Sequence, residues 1–192
     1  MITKTALYDK EAEEQAMRES KQAMKSRRHS IGHIIDSGDV DDALVITADW
    51  LKEAPEDVDA RNYHAQALAL AGKYEDAIKE IDFVINYVST AKDKWRFVNP
   101  YKGDKPLIQK GTYQTGLGNY AEALKTLSEA FPKTLNADDY LYRAKAEIGM
   151  GRQKDGCADL EEAVKLYFND ARIVRRDEAA KLLEETKTKL HS

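Results

Sequence analysis

GLGNYAEALKTLSEAF, from Gly116 to Phe131, reads as a turn followed by an amphipathic helix, and it has a counterpart upstream. AGKYEDAIKEIDFVI, from Ala71 to Ile85, sets a glycine, a tyrosine, an alanine and an aliphatic residue at the same offsets. With Gly72 and Gly118 as anchors the shared pattern is G-x-Y-x-x-A-aliphatic. Two looser copies lie in register. SGDVDDALVITADWL (Ser37 to Leu51) supplies Gly38, Val40, Ala43 and Leu44, and MGRQKDGCADLEEAV (Met150 to Val164) supplies Gly151, Gln153, Gly156 and Cys157. The anchors stand 34, 46 and 33 residues apart, so the middle interval is one period plus 12. A fixed period of this length marks one supersecondary unit written several times.

Composition agrees with a helical array. At 192 residues the chain is long enough to bury a real core, and four prolines with ten glycines leave little room for a turn-rich β fold. A net charge of -4 gives no general attraction to nucleic acid or to an anionic membrane. The single cysteine, Cys157, forms no internal disulfide. MITKTALYDKEAEEQAM at the start carries Lys4, Asp9, Lys10 and Glu11 and lacks the apolar run of a signal peptide, and no stretch is long and apolar enough for a membrane span. A cytoplasmic setting is expected, with no membrane partner.

In period and motif the chain resembles the tetratricopeptide repeat family, whose helix-turn-helix units recur about every 34 residues. The resemblance runs from about Met24 to Asp170. It implies an all-α fold: an α-solenoid of about four such repeats, one domain over 1–192, with units near 24–57, 58–91, 104–136 and 137–170. Small residues at Ala43, Ala77, Ala123 and Gly156 on second helices, and at Ala65, Gly111 and Ala144 on first helices, permit close packing. Ile31 takes that place in the first unit. The expected helix pairs are 24–36 and 40–53, 58–71 and 74–89, 105–116 and 120–131, and 137–149 and 153–167. Pro55 follows the second helix of its unit, and Pro132 shortens the third unit's second helix. A leading helix runs from about Asp9 into the first repeat. A capping helix over 171–190 carries Ile173, Ala179, Leu182, Leu183 and Leu190 at roughly helical spacing.

The resemblance also implies a concave groove lined by first helices and suited to a protein or peptide partner. Counting from the turn glycines, its first unit presents Lys25, Arg28 and His29, and its second presents Asn62, Tyr63 and Gln66. Lys105, Gln109 and Thr112 follow from the third unit, and Leu141, Tyr142 and Lys145 from the fourth. Such polar, aromatic and basic groups hydrogen-bond a peptide backbone and pair with carboxylates. A subgroup of the family grips a C-terminal carboxylate with lysine, arginine and asparagine. Arg28 and Lys105 match two of its basic members, but Gly32, Tyr63 and Gln109 replace the others, so that clamp is not expected.

The extra 12 residues form an insert at 92–103. Lys92 to Lys105 interleaves five basic residues with Trp95, Phe97 and Tyr101, and Trp95 is a further candidate partner contact. The alternatives are that these aromatics fold back on the array, or that the insert serves a nucleic-acid-associated factor. A toxin-neutralising binding protein is another role open to so small an array. The acidic run Asp36 to Asp59 reads as a solvated turn without the spacing of a calcium loop. His29 and His33 stand one turn apart, but no H-E-x-x-H follows, and no metal is expected. Cys157 reads as a buried packing thiol rather than a nucleophile. GTYQTGLGNY lacks the lysine and strand of a phosphate loop. The sequence therefore points to a scaffold, adaptor or chaperone-like protein without catalysis or cofactor; it leaves the oligomeric state open.

Overall fold

A chain that must reverse direction within two or three residues after a helix needs a residue at ease with positive φ, and glycine is that residue. Gly38, Gly72, Gly118 and Gly151 all occupy this region, with φ between 72° and 78°. Around each, two backbone bonds close the preceding helix. At the second turn the Gly72 N–H donates to the Ala69 carbonyl at 3.0 Å and the Lys73 N–H to the Leu68 carbonyl at 2.9 Å. The same pair of bonds recurs at Gly118 with Asn119 and at Gly151 with Arg152. One local device thus makes every hairpin.

The computed structural model describes residues 4–90, 105–130, 136–168 and 173–191, and among these it contains nine helices and no strand. They are α1 (Lys4–Ser37), α2 (Val40–Glu53), α3 (Val58–Leu70), α4 (Tyr74–Thr90), α5 (Lys105–Gly116), α6 (Tyr120–Ala130), α7 (Ala137–Gly149), α8 (Gln153–Tyr167) and α9 (Ile173–His191). Four consecutive pairs form antiparallel hairpins, and α9 packs on α8 as the first helix of a further unit would. The architecture is the expected all-α solenoid with a leading helix and a C-terminal cap. α1 is continuous over 34 residues, about 50 Å of helix at 1.5 Å per residue. α2 stops at Glu53, just before Pro55. The insert at 92–103 lies outside the described residues.

The core follows the small-residue register. Ala43, Ala77 and Ala123 on second helices and Ala65 and Ala144 on first helices are fully buried, and Ile31 fills the corresponding place in α1. Where the residue is glycine the approach is closer still. A Cβ on Gly111 would lie 2.6 Å from Leu127 Cγ, and one on Gly156 would lie 2.6 Å from Ile148 Cγ1. In the cap, Ala179 and Thr186 are buried and Leu182 packs inward, whereas Leu190 faces solvent. Cys157 is free and buried, and burial pushes its thiol up.

The recurrent tyrosine has a separate task. Tyr74, two residues after one turn glycine, lays its ring against Gly116 at the end of the next first helix, and Tyr120 does the same to Gly149. Cβ atoms there would fall 2.6 Å and 2.5 Å from ring carbons. Each ring locks its hairpin onto the following one. Between the first and second hairpins the register instead offers Val40 and an exposed Leu70. There the join is made by Ile31, Trp50 and Ala60, with Tyr63 stacked on Trp50 at a centroid distance of 6.1 Å.

The fourth hairpin buries charge. Arg143 on α7 forks onto Asp159 of α8, its Nη2 2.6 Å from Oδ1 and its Nε on Oδ2. Glu147, one turn further along α7, is buried, with Oε2 lacking a hydrogen-bond partner and Oε1 3.8 Å from Arg152. Burial, then the Asp159 carboxylate, pushes Glu147 up to about 7, which Arg143 and Arg152 offset only in part.

Two outcomes test this account. Gly116→Ala and Gly149→Ala force a methyl into a tyrosine ring and should each cost ~1–3 kcal/mol in urea unfolding. Gly32→Ala, in α1 with nothing within 4 Å, should instead gain up to about 1 kcal/mol of helix propensity. Equal effects at all three sites would overturn the packing assignment. Because the folded pKa of Glu147 lies above its ordinary 4.5, the folded chain binds more protons between about 4.5 and about 7, and stability from this group is lost as pH rises through that window. Glu147→Gln should therefore match the parent at pH 4.5 and exceed it at pH 7.5 in denaturation midpoint.

Candidate functional site

The first helices form one wall of the array, α1 packing on α3 and α5 on α7, while α3 reaches α5 through α4. The candidate side chains on this wall fall into three groups. At the α1–α3 junction Arg28 pairs with Asp59, and Asn62 follows one turn later on α3. Asp59 is 2% exposed; burial pushes its carboxyl up to about 6 despite the Arg28 guanidinium, which acts the other way. The desolvation cost of a buried carboxylate here exceeds the attraction of its partner. Asp59 was legible only as part of an acidic run; its burial as the partner of Arg28 required the neighbouring helix. Asn62 is 1% exposed, and neither of its amide atoms has a hydrogen-bond partner. Tyr63 is half-buried beside Trp50, over whose ring Arg27 lies at 5.4 Å from the centroid. Gln66 folds back to donate to the Asn62 carbonyl at 3.3 Å.

Along α5, Lys105 is exposed, Gln109 is half-buried with its Oε1 unpartnered, and Thr112 donates to the Ile108 carbonyl at 2.9 Å. Tyr113, next to Thr112, is buried and closes the core against α3 and α4.

The third group joins α7 to the cap. Lys145 donates to Glu178 at 2.6 Å, and Arg175 meets the same carboxylate at 3.1 Å. Both cations lie over Tyr142, at 5.4 Å and 5.8 Å from its centroid. Burial raises Glu178, and its bonds to Lys145 and Arg175 outweigh that, leaving its carboxyl below the usual range. Arg175 and Glu178 escaped the sequence reading because α9 counts as a cap, although it occupies the place of a fifth first helix and presents side chains in the same register. Leu141, also assigned to the groove, is fully buried in the core between α7, α8 and α9.

His29 is exposed, and its ring meets that of His33 one turn later. Trp95 and the rest of the aromatic insert lie outside the described residues. Among the described residues no helix is long and apolar enough to cross a membrane, and no group of three or more His, Cys, Asp and Glu is placed to hold a metal ion. The wall therefore offers aromatic faces, cations and amides, the groups that hold a peptide by hydrogen bonds and charge.

No protein-family model and no curated protein matches the chain. Solved structures do. A tetratricopeptide repeat protein of Thermus thermophilus, TTC0263, superposes with a TM-score of 0.59 at 20% identity, covering 88% of this chain and 86% of that one. Yeast Tom70 gives 0.56 at 21% identity over 79% of this chain, which spans 30% of the Tom70 chain. MamA from Desulfovibrio magneticus RS-1 gives 0.52 at 20% identity, covering 85% and 93%. At these identities the likeness is one of fold, and it agrees with the helix pairing, the four left-handed glycines and the repeat period: this chain is a tetratricopeptide-repeat-like α-solenoid.

Proposed function

We infer that the protein is a cytoplasmic, non-catalytic scaffold or adaptor that holds a partner protein or peptide against its first-helix wall. The observation that carries this reading is the pair of partly exposed tyrosines at junctions between successive first helices: Tyr63, stacked on Trp50 over whose ring Arg27 lies, and Tyr142, beneath Lys145 and Arg175. Tyrosine and arginine dominate binding energy at protein interfaces because they combine large apolar area with directional polar groups at small entropic cost. Flanking cations select a partner segment carrying carboxylates. Lys105 adds an exposed cation between the two junctions.

The test begins with capture from native lysate and identification of the bound protein, followed by affinity measurement with that purified partner. Tyr63→Ala and Tyr142→Ala should each weaken binding by roughly tenfold, about 1.4 kcal/mol, with the helical circular dichroism preserved. Glu75 and Glu122, exposed just after the turns on second helices, provide the opposite surface. If Glu75→Lys and Glu122→Lys abolish binding while both tyrosine variants retain it, the partner lies on the second-helix side and this assignment fails.

A further inference from the structure

His29 and His33 lie one turn apart on α1, and their rings converge. His33 Nε2 is 3.1 Å from His29 Nε2, the ring centroids are 4.4 Å apart, and the rings cross at 83°. Both side chains are exposed. Two neutral imidazoles at this distance share one proton, one ring donating its N–H to the lone pair of the other. The same separation is the bite of a chelate. Two nitrogens each about 2.0–2.1 Å from one metal stand about 3.4 Å apart at a tetrahedral centre and about 2.9 Å apart at a right-angled one. The observed 3.1 Å falls between these values.

We propose that His29 and His33 form a bidentate site for a divalent transition metal, copper(II) foremost, on the exposed face of α1. Imidazole nitrogen suits copper, nickel and zinc, whereas magnesium and calcium prefer oxygen, and copper(II) binds most tightly of the divalent series at a given nitrogen site. The helix supplies the preorganisation, since residues four apart share a face. Arg28, the adjacent cation, is engaged by buried Asp59 on α3, which offsets its repulsion of a metal ion. The described residues offer no third histidine, cysteine or carboxylate in a common cluster, so water completes the coordination. On metal binding the donating ring gives up its Nε2 proton to solvent and takes one at Nδ1, with no net proton release, so that both Nε2 lone pairs face the ion and cross-link one turn of α1.

The test uses the full chain without an affinity tag, titrated with copper(II) chloride in a non-chelating buffer and followed by calorimetry and electron paramagnetic resonance. The expected result is one copper ion per chain at this site, a spectrum with nitrogen ligation, and a rise in melting temperature on loading. His29→Ala and His33→Ala should each weaken binding by about tenfold or more, because losing one arm removes the intramolecular second contact, and each should cancel the thermal shift. Both positions are exposed, so the apo variants should keep the parent's circular dichroism; His29→Gln and His33→Gln provide a second pair if either alanine variant does not. His191→Ala, near the end of α9, should bind like the parent. Copper affinity and spectrum unchanged in both single variants, or lost in only one of them, would overturn the proposal by showing adsorption elsewhere or a single-nitrogen contact.

Discussion

Each ring-on-glycine contact ties one hairpin to the next, and the order of the array depends on it. Tyr74 on Gly116 and Tyr120 on Gly149 place an aromatic face where any larger residue would collide. A single helical hairpin cannot cover its own apolar face, so stability arises at the junctions between neighbours. A contact of this closeness permits one relative position of successive hairpins and few others, because close-packed interiors do not deform smoothly. The left-handed glycines set the direction of each hairpin, and at the second and third junctions the tyrosines set where the next one begins.

Much of this was legible in the sequence because it is local or periodic. Four turn glycines, two intervals of about one period and one of a period plus 12, with the small residues at fixed offsets from them and Pro55, gave the bounds of the paired helices to within a residue or two, except the start of α1, which lies at Lys4 rather than near Asp9. The tyrosine–glycine contact was written there too, as a glycine two places before Gly118 and before Gly151 matched by a tyrosine two places after the preceding turn, but it joins residues of different repeats and so escapes a reading made one repeat at a time. Asp59 was harder still. An acidic residue beside a helix N-terminus is ordinarily solvated, and nothing on α3 itself indicates that Arg28 of α1 comes down over it. Arg175 and Glu178 eluded the reading for the related reason that a terminal helix has no later repeat to be compared with.

The first-helix wall is partly self-satisfied. Arg28 is held by Asp59, Lys145 and Arg175 by Glu178, and Gln66 by its own helix. An approaching carboxylate competes with these internal partners, and exchanging one half-buried pair for another yields little net energy. Tyr63 and Tyr142 are engaged as well, the one stacked on Trp50 and the other beneath Lys145 and Arg175, but each keeps part of its surface exposed for apolar contact. Under the proposed function, apolar contact therefore supplies affinity while the cations set which segment is accepted and in which direction it lies.

The junctions are chemically unlike one another, and this gives the solenoid a polarity along its length. The second and third junctions carry uncharged ring contacts, indifferent to acid and little affected by salt. The first is spanned by Arg28 and Asp59, whose carboxyl changes charge near pH 6. Mild acidification thus addresses the array near its two ends, at Asp59 in the first junction and at Glu147 in the fourth hairpin, and leaves those ring contacts as they were, so that the ends can respond to their surroundings while the ring contacts keep the spacing of the frame.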